Sequence, residues 1–328
     1  MGKIRLTGKN KGDNAMRIGI DMGGMSFKLG LVDDDNRIVA RHVIPTELDI
    51  PYQDMIKKTA QAVRDLTEKA GVALEECTGI GVGTPGMLDD TGRVILYSNN
   101  FGWENVPFAE EMEKLLPLPI SMANDADAAA LGEVCAGAAQ GARSAVLLTL
   151  GTGVGGGVII DGHIFHGPAR GGCEIGHMVI AAGGETCTCG RSGCMEAYCS
   201  ASALIRMATE EMEKSPESAL RKLCDEAGGK MNGKIPFDAA QMGDEAGRRV
   251  VDEYESYLAC GIANVINIFR PEKVILGGGV AAQRDNLTVP LTEMVKNMCF
   301  GNPYGEVADI VVSVLGNDAG IIGAANLV

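Results

Sequence analysis

The feature that most restricts what this chain can fold into is a pattern that occurs twice. Residues 17–38 read as a short apolar strand (Arg17-Ile-Gly-Ile-Asp21), a glycine turn (Met22-Gly-Gly-Met25), a second strand (Ser26-Phe-Lys-Leu-Gly-Leu-Val32), a polar turn from Asp33 to Asn36, and a third strand near Ile38. Residues 146–165, VLLTLGTGVGGGVIIDGHIF, repeat strand, glycine turn, strand, Asp/Gly turn and strand, with Gly23 falling on Gly151. Either hairpin alone is commonplace; the shared order and length imply two similar domains. The length agrees, because 328 residues exceed what one hydrophobic core ordinarily fills.

Helices alternate with these strands. Met55, Ile56, Ala60, Val63 and Leu66 recur at helical spacing and the pattern stops at Gly71, which predicts a helix over 52–70. Ile80-Gly-Val-Gly-Thr-Pro-Gly86 is a strand running into a turn. Pro117-Leu-Pro-Ile-Ser121 leads a strand into Asn124-Asp125, and Ala126 to Gln140 is rich in helix formers. Such alternation predicts an α/β protein. The boundary is expected near 121, between a small N-terminal α/β domain (16–121) and a large C-terminal one (122–314), with residues 1–15 a tail. The second half adds a helix around 247–269, a strand Lys273-Val-Ile-Leu276 ending in Gly277-Gly-Gly279, and a small-residue helix after Asn317-Asp318, within about 315–328, expected to pack back on the first domain. The charged segment 210–245 is expected to be a surface helical insert.

The chain has 45 glycines where average usage of about 7% predicts roughly 23, without the triplet of collagen. Its net charge of −14 disfavours nucleic acid or an anionic membrane surface as partner, although a small anion can still bind in a local nest of N–H groups. Neither an apolar run of membrane-spanning length nor a signal-peptide core is present, so a cytoplasmic protein is expected. There thiols stay reduced, and the 10 cysteines read as metal ligands, reactive groups or small core residues before disulfides.

Cys187, Cys189 and Cys194 form a CxCGxxGC cluster with His177 ten residues upstream. Three thiolates and an imidazole complete a tetrahedral Zn²⁺ site, which predicts a structural zinc loop over 177–194. The glycine turns Asp21-Met-Gly-Gly24 and Gly151-Thr-Gly-Val-Gly-Gly-Gly157 expose successive N–H groups suited to phosphate oxygens, and with Gly277-Gly-Gly279 they favour nucleotide binding. Neither is a P-loop or a dinucleotide fingerprint, since a strand rather than a helix follows each. Asp125, at a helix N-terminus, is placed to remain ionised and serve as a base. Glu174, His177 and Glu196, with Asn124 and Asp125, supply donors and acceptors suited to a polyhydroxyl ligand. A metal-bound His177 would keep its second ring nitrogen free to hydrogen-bond outward.

Together, IGIDMGGMSFKLGLV, GVGTPGMLD, NNFGWENVPF, ANDADAAALGE, LGTGVGGGVI, GGCEIGHM, CTCGRSGCMEAYCSA and VILGGG resemble the ROK family of sugar kinases, most closely its bacterial ATP-dependent glucokinases. The resemblance implies an actin-like ATPase (ribonuclease H-like) fold with an interdomain cleft, and transfer of the ATP γ-phosphate to the 6-hydroxyl of glucose with Asp125 as general base. It implies that Asn124, Glu174, His177 and Glu196 hold sugar hydroxyls with Gly86 and Asn100. Asp21, Gly23, Gly24, Ser26 and Lys28 would line the phosphate and Mg²⁺ region. Gly151, Thr152 and Gly153 would cradle the ATP phosphates, and Gly277 and Gly278 would border the adenosine. Family members are commonly homodimers or homotetramers. One departure is evident: Met25 stands where the family usually has threonine. Alternatives are a kinase for N-acetylmannosamine, fructose, allose or N-acetylglucosamine, a non-catalytic sugar sensor, and a repressor, the last disfavoured by the charge and by a first strand that begins by residue 17.

Overall fold

A computed structural model describes residues 15–167, 170–301, 305 and 307–328. Apart from Ala15, the expected tail lies outside the described residues. Thirteen strands are present among them: β1 (Met16–Met22), β2 (Ser26–Val32), β3 (Ile38–Pro45), β4 (Cys77–Thr84), β5 (Met87–Leu88), β6 (Ile95–Ser98), β7 (Trp103–Val106), β8 (Ile120–Asn124), β9 (Ala145–Leu150), β10 (Val154–Ile160), β11 (His163–Ile164), β12 (Lys273–Gly277) and β13 (Asp309–Val312). The α-helices are α1 (Tyr52–Ala70), α2 (Phe108–Leu115), α3 (Asp125–Ala136), α4 (Glu196–Cys199), α5 (Ala201–Lys214), α6 (Ala219–Glu226), α7 (Ile235–Gln241), α8 (Glu245–Phe269), α9 (Asp285–Met298) and α10 (Ala319–Ala325).

The duplication extends well beyond the two hairpins. One five-stranded sheet has the order β3-β2-β1-β4-β8 and the other β11-β10-β9-β12-β13, so the same topology occurs twice. In each, the first three strands are antiparallel neighbours and the last two run parallel to the first. A small sheet, β5-β6-β7, completes the strands. Strand β8 pairs with β4 as far as Asn124, so the first sheet continues past the boundary expected near 121.

Alternation drives the first sheet together: Ile18, Ile20 and Met22 of β1 and Phe27, Leu29 and Leu31 of β2 are buried. The apolar stripe of α1, including Met55, Ile56, Val63 and Leu66, covers this core. Gly71 ends the helix in the left-handed region (φ 68°), with Gly71 N–H donating to Glu68 and Val72 N–H to Thr67.

The sheets meet through equivalent helices, since α3 follows β8 and α10 follows β13, each the last strand of its sheet. These helices cross where glycine permits backbone contact: a Cβ on Gly132 would run into the Ala319 carbonyl, and one on Gly323 into the Ala128 carbonyl. Helix α10 also lies on the first sheet, where a side chain at Gly81 would strike Ala324.

Residues 210–245 depart from the expected surface insert. Leu220, Cys224, Ile235 and Phe237 are buried with Leu204, Val250, Tyr254 and Leu258 in the core of the second sheet. Charge density averaged along the segment hid short amphipathic helices whose charged residues, such as Lys222, Asp225 and Glu226, point outward. The helix expected to reach Gln140 stops at Ala136, before Gly137. Among the described residues no helix is long and apolar enough to cross a membrane.

Candidate active site

Strands of the two sheets and the starts of α3 and α10 line a cavity of about 270 Å³ with Asp21, Asp125, Ala126, Thr149, Gly155, Asn317 and Gly320, among others. Asp21 stands near the end of β1, and Lys28 Nζ lies 3.6 Å from its carboxylate and 3.3 Å from Asn317 Oδ1. Burial raises the Asp21 pKa, and the Lys28 ammonium opposes that rise. The turn that follows is closed by Gly23 N–H donating to Ser26 (3.0 Å) and fastened by Thr46, whose hydroxyl donates to Gly23 O (2.7 Å) and whose N–H donates to Met25 O (3.0 Å). Met25 projects into solvent, 90% exposed.

Asn124 caps α3, its Oδ1 accepting from the N–H groups of Ala126 and Asp127, while its amide lies 3.5 Å from Gly86 O. A Cβ on Gly24 would lie 3.6 Å from Asn100 Nδ2, which places Asn100 beside the first turn. Asp125 is the first residue of the helix. The helix N-terminus was expected to hold it ionised, but burial dominates and raises its pKa; the Ala126 N–H opposes this and the Asp21 charge adds to it. One turn's start further on, Asp127 is buried, its Oδ1 has no partner, and burial pushes it up to about 7.

The second turn is held differently. Gly151 O accepts from Ala201 N–H (2.7 Å) and Thr152 O from the Ser202 hydroxyl (2.8 Å). Glu196 Oε2 accepts from Val154 N–H at 3.1 Å, and a Cβ on Gly153 would run into that oxygen. Glu196 Oε1 accepts from the Thr188 hydroxyl at 2.7 Å and lies 3.4 Å from Cys187 Sγ. Burial opposes the charged form of Glu196, but the bonds from Thr188 and Val154 outweigh it and hold the carboxyl below its ordinary value. Gly278, at φ 83°, packs its backbone against Leu150, which brings the Gly277-Gly278 turn beside Gly151–Gly153.

His177, Cys187, Cys189 and Cys194 place one ligand atom each within 4.8 Å of all the others. Cys189 Sγ lies 3.7 Å from Cys194 Sγ, and Cys187 Sγ 3.6 Å from His177 Nδ1. Tetrahedral edges are about 3.8 Å for two sulfurs at 2.3 Å from an ion, and about 3.6 Å for sulfur and nitrogen. The donor set and spacing fit Zn²⁺. The other ring nitrogen, His177 Nε2, faces Glu174 at 3.9 Å.

The residues singled out in the sequence thus fall into neighbouring groups rather than one cluster. Asp21 and Asp125 share the carboxylate-lined cavity, with Lys28 beside Asp21; Asn124, Gly86 and Asn100 approach from β8 and the small sheet; Glu174 and His177 adjoin the cysteines; and Glu196 joins these to the second turn. Ser26, whose backbone closes the first turn, pairs with Pro45 in the sheet. Sequence reasoning passed over Thr46, Asp127, Thr149, Thr188 and Asn317. Asp127 had a local signal, a carboxylate on the buried side of an alanine-rich helix; Thr46, Thr149 and Asn317 depend on contacts distant in the chain, and Thr188 on the fold of the cysteine loop onto Glu196.

A duplicated mixed α/β sheet with a carboxylate-lined cavity between its two copies is consistent with the actin-like ATPase class. The ROK family profile matches residues 17–328, and the chain belongs to the ROK family. It is 36% identical to a glucokinase of Thermotoga maritima, over 95% of this chain and 96% of that one. A ROK glucokinase of Streptomyces griseus, solved with glucose and AMPPNP, is similar at 31% identity and a TM-score of 0.76, covering 95% of this chain and 99% of the other. The ROK hexokinase of Thermus thermophilus is similar at 32% identity and a TM-score of 0.80, covering 95% and 97%. The chain also matches a xylose repressor of Caldicellulosiruptor bescii at 27% identity, over 95% of this chain and 77% of that protein.

Proposed function

We propose that this protein is an ATP-dependent sugar kinase that transfers the γ-phosphate of MgATP to the 6-hydroxyl of glucose. The observation that carries the reading is Asp125, a half-buried carboxylate at the start of α3 on a cavity shared with Asp21, whose own carboxylate lies 3.6 Å from Lys28 Nζ. Burial raises the Asp125 pKa above the ordinary aspartate value, which makes its carboxylate a stronger acceptor for a hydroxyl proton. Asp125 takes the 6-hydroxyl proton as that oxygen attacks the γ-phosphorus and ADP leaves. Positioning supplies most of the remaining rate, because phosphoryl transfer asks little covalent chemistry of the protein.

Asn124, Glu174, His177 and Glu196 hold the sugar hydroxyls, with Gly86 and Asn100 opposite. Asp21, Gly23, Gly24, Ser26 and Lys28 border the phosphates and their Mg²⁺; Gly151, Thr152 and Gly153 cradle the phosphates; Gly277 and Gly278 border the adenosine. The two sheets form the cores of two domains that meet at α3 and α10, with the sugar in the cleft. His177, Cys187, Cys189 and Cys194 would hold a structural Zn²⁺, which would brace the loop. His177, with Nδ1 beside Cys187 Sγ, would keep Nε2, which faces Glu174, for a hydrogen bond outward.

A coupled ADP-release assay across a hexose panel tests the substrate. Turnover with glucose is expected; turnover confined to N-acetylmannosamine would replace glucose with that sugar, and none at all would favour a sensor or repressor role like that of the xylose repressors. Elemental analysis should find about one zinc per chain.

A further inference from the structure

We propose that Thr188 is a positioning residue that fixes the Glu196 carboxylate and, through it, the second glycine turn. Thr188 lies between Cys187 and Cys189 in the cysteine loop, far in the chain from the turn it would control. Its hydroxyl donates to Glu196 Oε1 at 2.7 Å, a short, charge-assisted bond. The other side-chain neighbour of that oxygen, Cys187 Sγ at 3.4 Å, is sulfur and a weak donor. Thr188 therefore sets the carboxylate's rotation. Oε2 is then aimed at Val154 N–H, 3.1 Å away, in the first residue after Gly151-Thr152-Gly153.

Contact reinforces the bond. A methyl group at Gly153 would occupy the space of Oε2, so no slack separates carboxylate from turn, and movement of one displaces the other. A carboxylate bound at both oxygens keeps lone pairs for a ligand only in the directions its partners leave open. The cysteine loop thereby acts on the turn through a single side chain, separately from any ion that it holds.

Only the kinetic readout of this inference rests on the sugar-kinase reading. Thr188→Val removes the hydroxyl at nearly constant shape, and Thr188→Ser keeps it. In the full-length, metal-loaded protein, Thr188→Val should raise KM for glucose and for ATP, each roughly tenfold, the factor expected for one bond to a charged group. It should change kcat less and speed amide exchange at Val154 by roughly tenfold. Zinc content should match wild type, and Thr188→Ser should restore all three measurements. Loss of zinc from Thr188→Val would assign Thr188 to loop stability and overturn the inference, as would unchanged KM values and unchanged Val154 exchange. A rise confined to the glucose KM with Val154 protection intact would break the link to the turn. If the wild-type protein phosphorylates no hexose, the kinase reading fails while Val154 exchange still decides the role of Thr188.

Discussion

With Gly23 set over Gly151, the two glycine turns can be compared position by position. Asp21 then falls on Thr149 and Met25 on Gly153. The flanking strands have the same order and direction, yet the turns are built differently. The first carries its own charge, Asp21 with Lys28 beside it, and is tied by Thr46, the residue just after β3. The second is uncharged and imports the Glu196 carboxylate from the start of α4, just after the cysteine loop. Where Met25 points into solvent, Gly153 gives its place to the oxygen of Glu196. Duplicated topology fixes the path of the backbone at such a turn; what surrounds each copy decides which chemistry it can do.

The largest effect is expected at the residue without a counterpart in this comparison. Asp125→Asn should lower kcat by roughly 10²- to 10⁴-fold while glucose binding, measured calorimetrically, survives. Retained turnover would remove Asp125 as base. The acid limb of kcat/KM should lie above the ordinary aspartate value of 3.8, because burial and then the Asp21 charge raise the Asp125 pKa and only the deprotonated form accepts a proton. A limb at or below that value would contradict the burial argument.

Next comes a direct contrast between the turns. Gly153→Ala places a methyl group on the Glu196 carboxylate, whereas Gly24→Ala meets only Asn100 Nδ2 at 3.6 Å, ordinary contact. Overpacking of about 1–3 kcal/mol should cut kcat/KM for ATP roughly tenfold or more in Gly153→Ala. Gly24→Ala should stay within about threefold. Equal effects would mean that the carboxylate does not distinguish the turns.

Much of this was legible in the chain itself because local pattern carries it. The α1 stripe from Met55 to Leu66, its stop at Gly71, and both hairpins are written in spacing and turn chemistry. The match of the complete sheets was not, because β4, β8, β12 and β13 join them through parallel pairings across long crossovers that contain helices. Nor was the core role of Leu220 or Phe237, since short amphipathic helices in a charged segment look like surface. At the site, residue types such as His177 with three cysteines announced themselves. The Glu196 clamp depends on Val154, 42 residues away, and the pKa of Asp125 depends on depth of burial, which a helix N-terminus alone does not reveal.

Two glutamates of the second half extend the contrast to stability. Glu196, bonded at both oxygens, is held below its ordinary value; Glu255, buried with Oε1 unpartnered, is pushed up to about 8 by burial and then by Asp252. With a folded pKa above the unfolded value near 4.5, the folded state holds this proton more tightly. The contribution is full below about 4.5 and is lost as pH rises to about 8. Glu255→Gln should therefore stabilise the protein by about 1–3 kcal/mol at alkaline pH and much less at pH near 5. A Tm difference from wild type that does not vary with pH would refute the assignment.

The smallest expected effect tests the first turn. Met25 is 90% exposed, so Met25→Thr disturbs no packing and should leave Tm and kcat nearly unchanged. Its N–H and C=O remain where the turn places them, with Thr46 N–H still bonded to the carbonyl. The substitution adds one hydroxyl beside the proposed phosphate position, and a neutral hydrogen bond of about 0.5–1.5 kcal/mol would lower the KM for ATP by roughly two- to tenfold. No change would show that backbone N–H groups are sufficient in the first turn, making it more like the uncharged second turn than Asp21 and Lys28 suggest. A lower KM for ATP with the glucose KM unchanged would keep the two turns distinct, one reading phosphate with its own side chains and the other with a carboxylate held from outside.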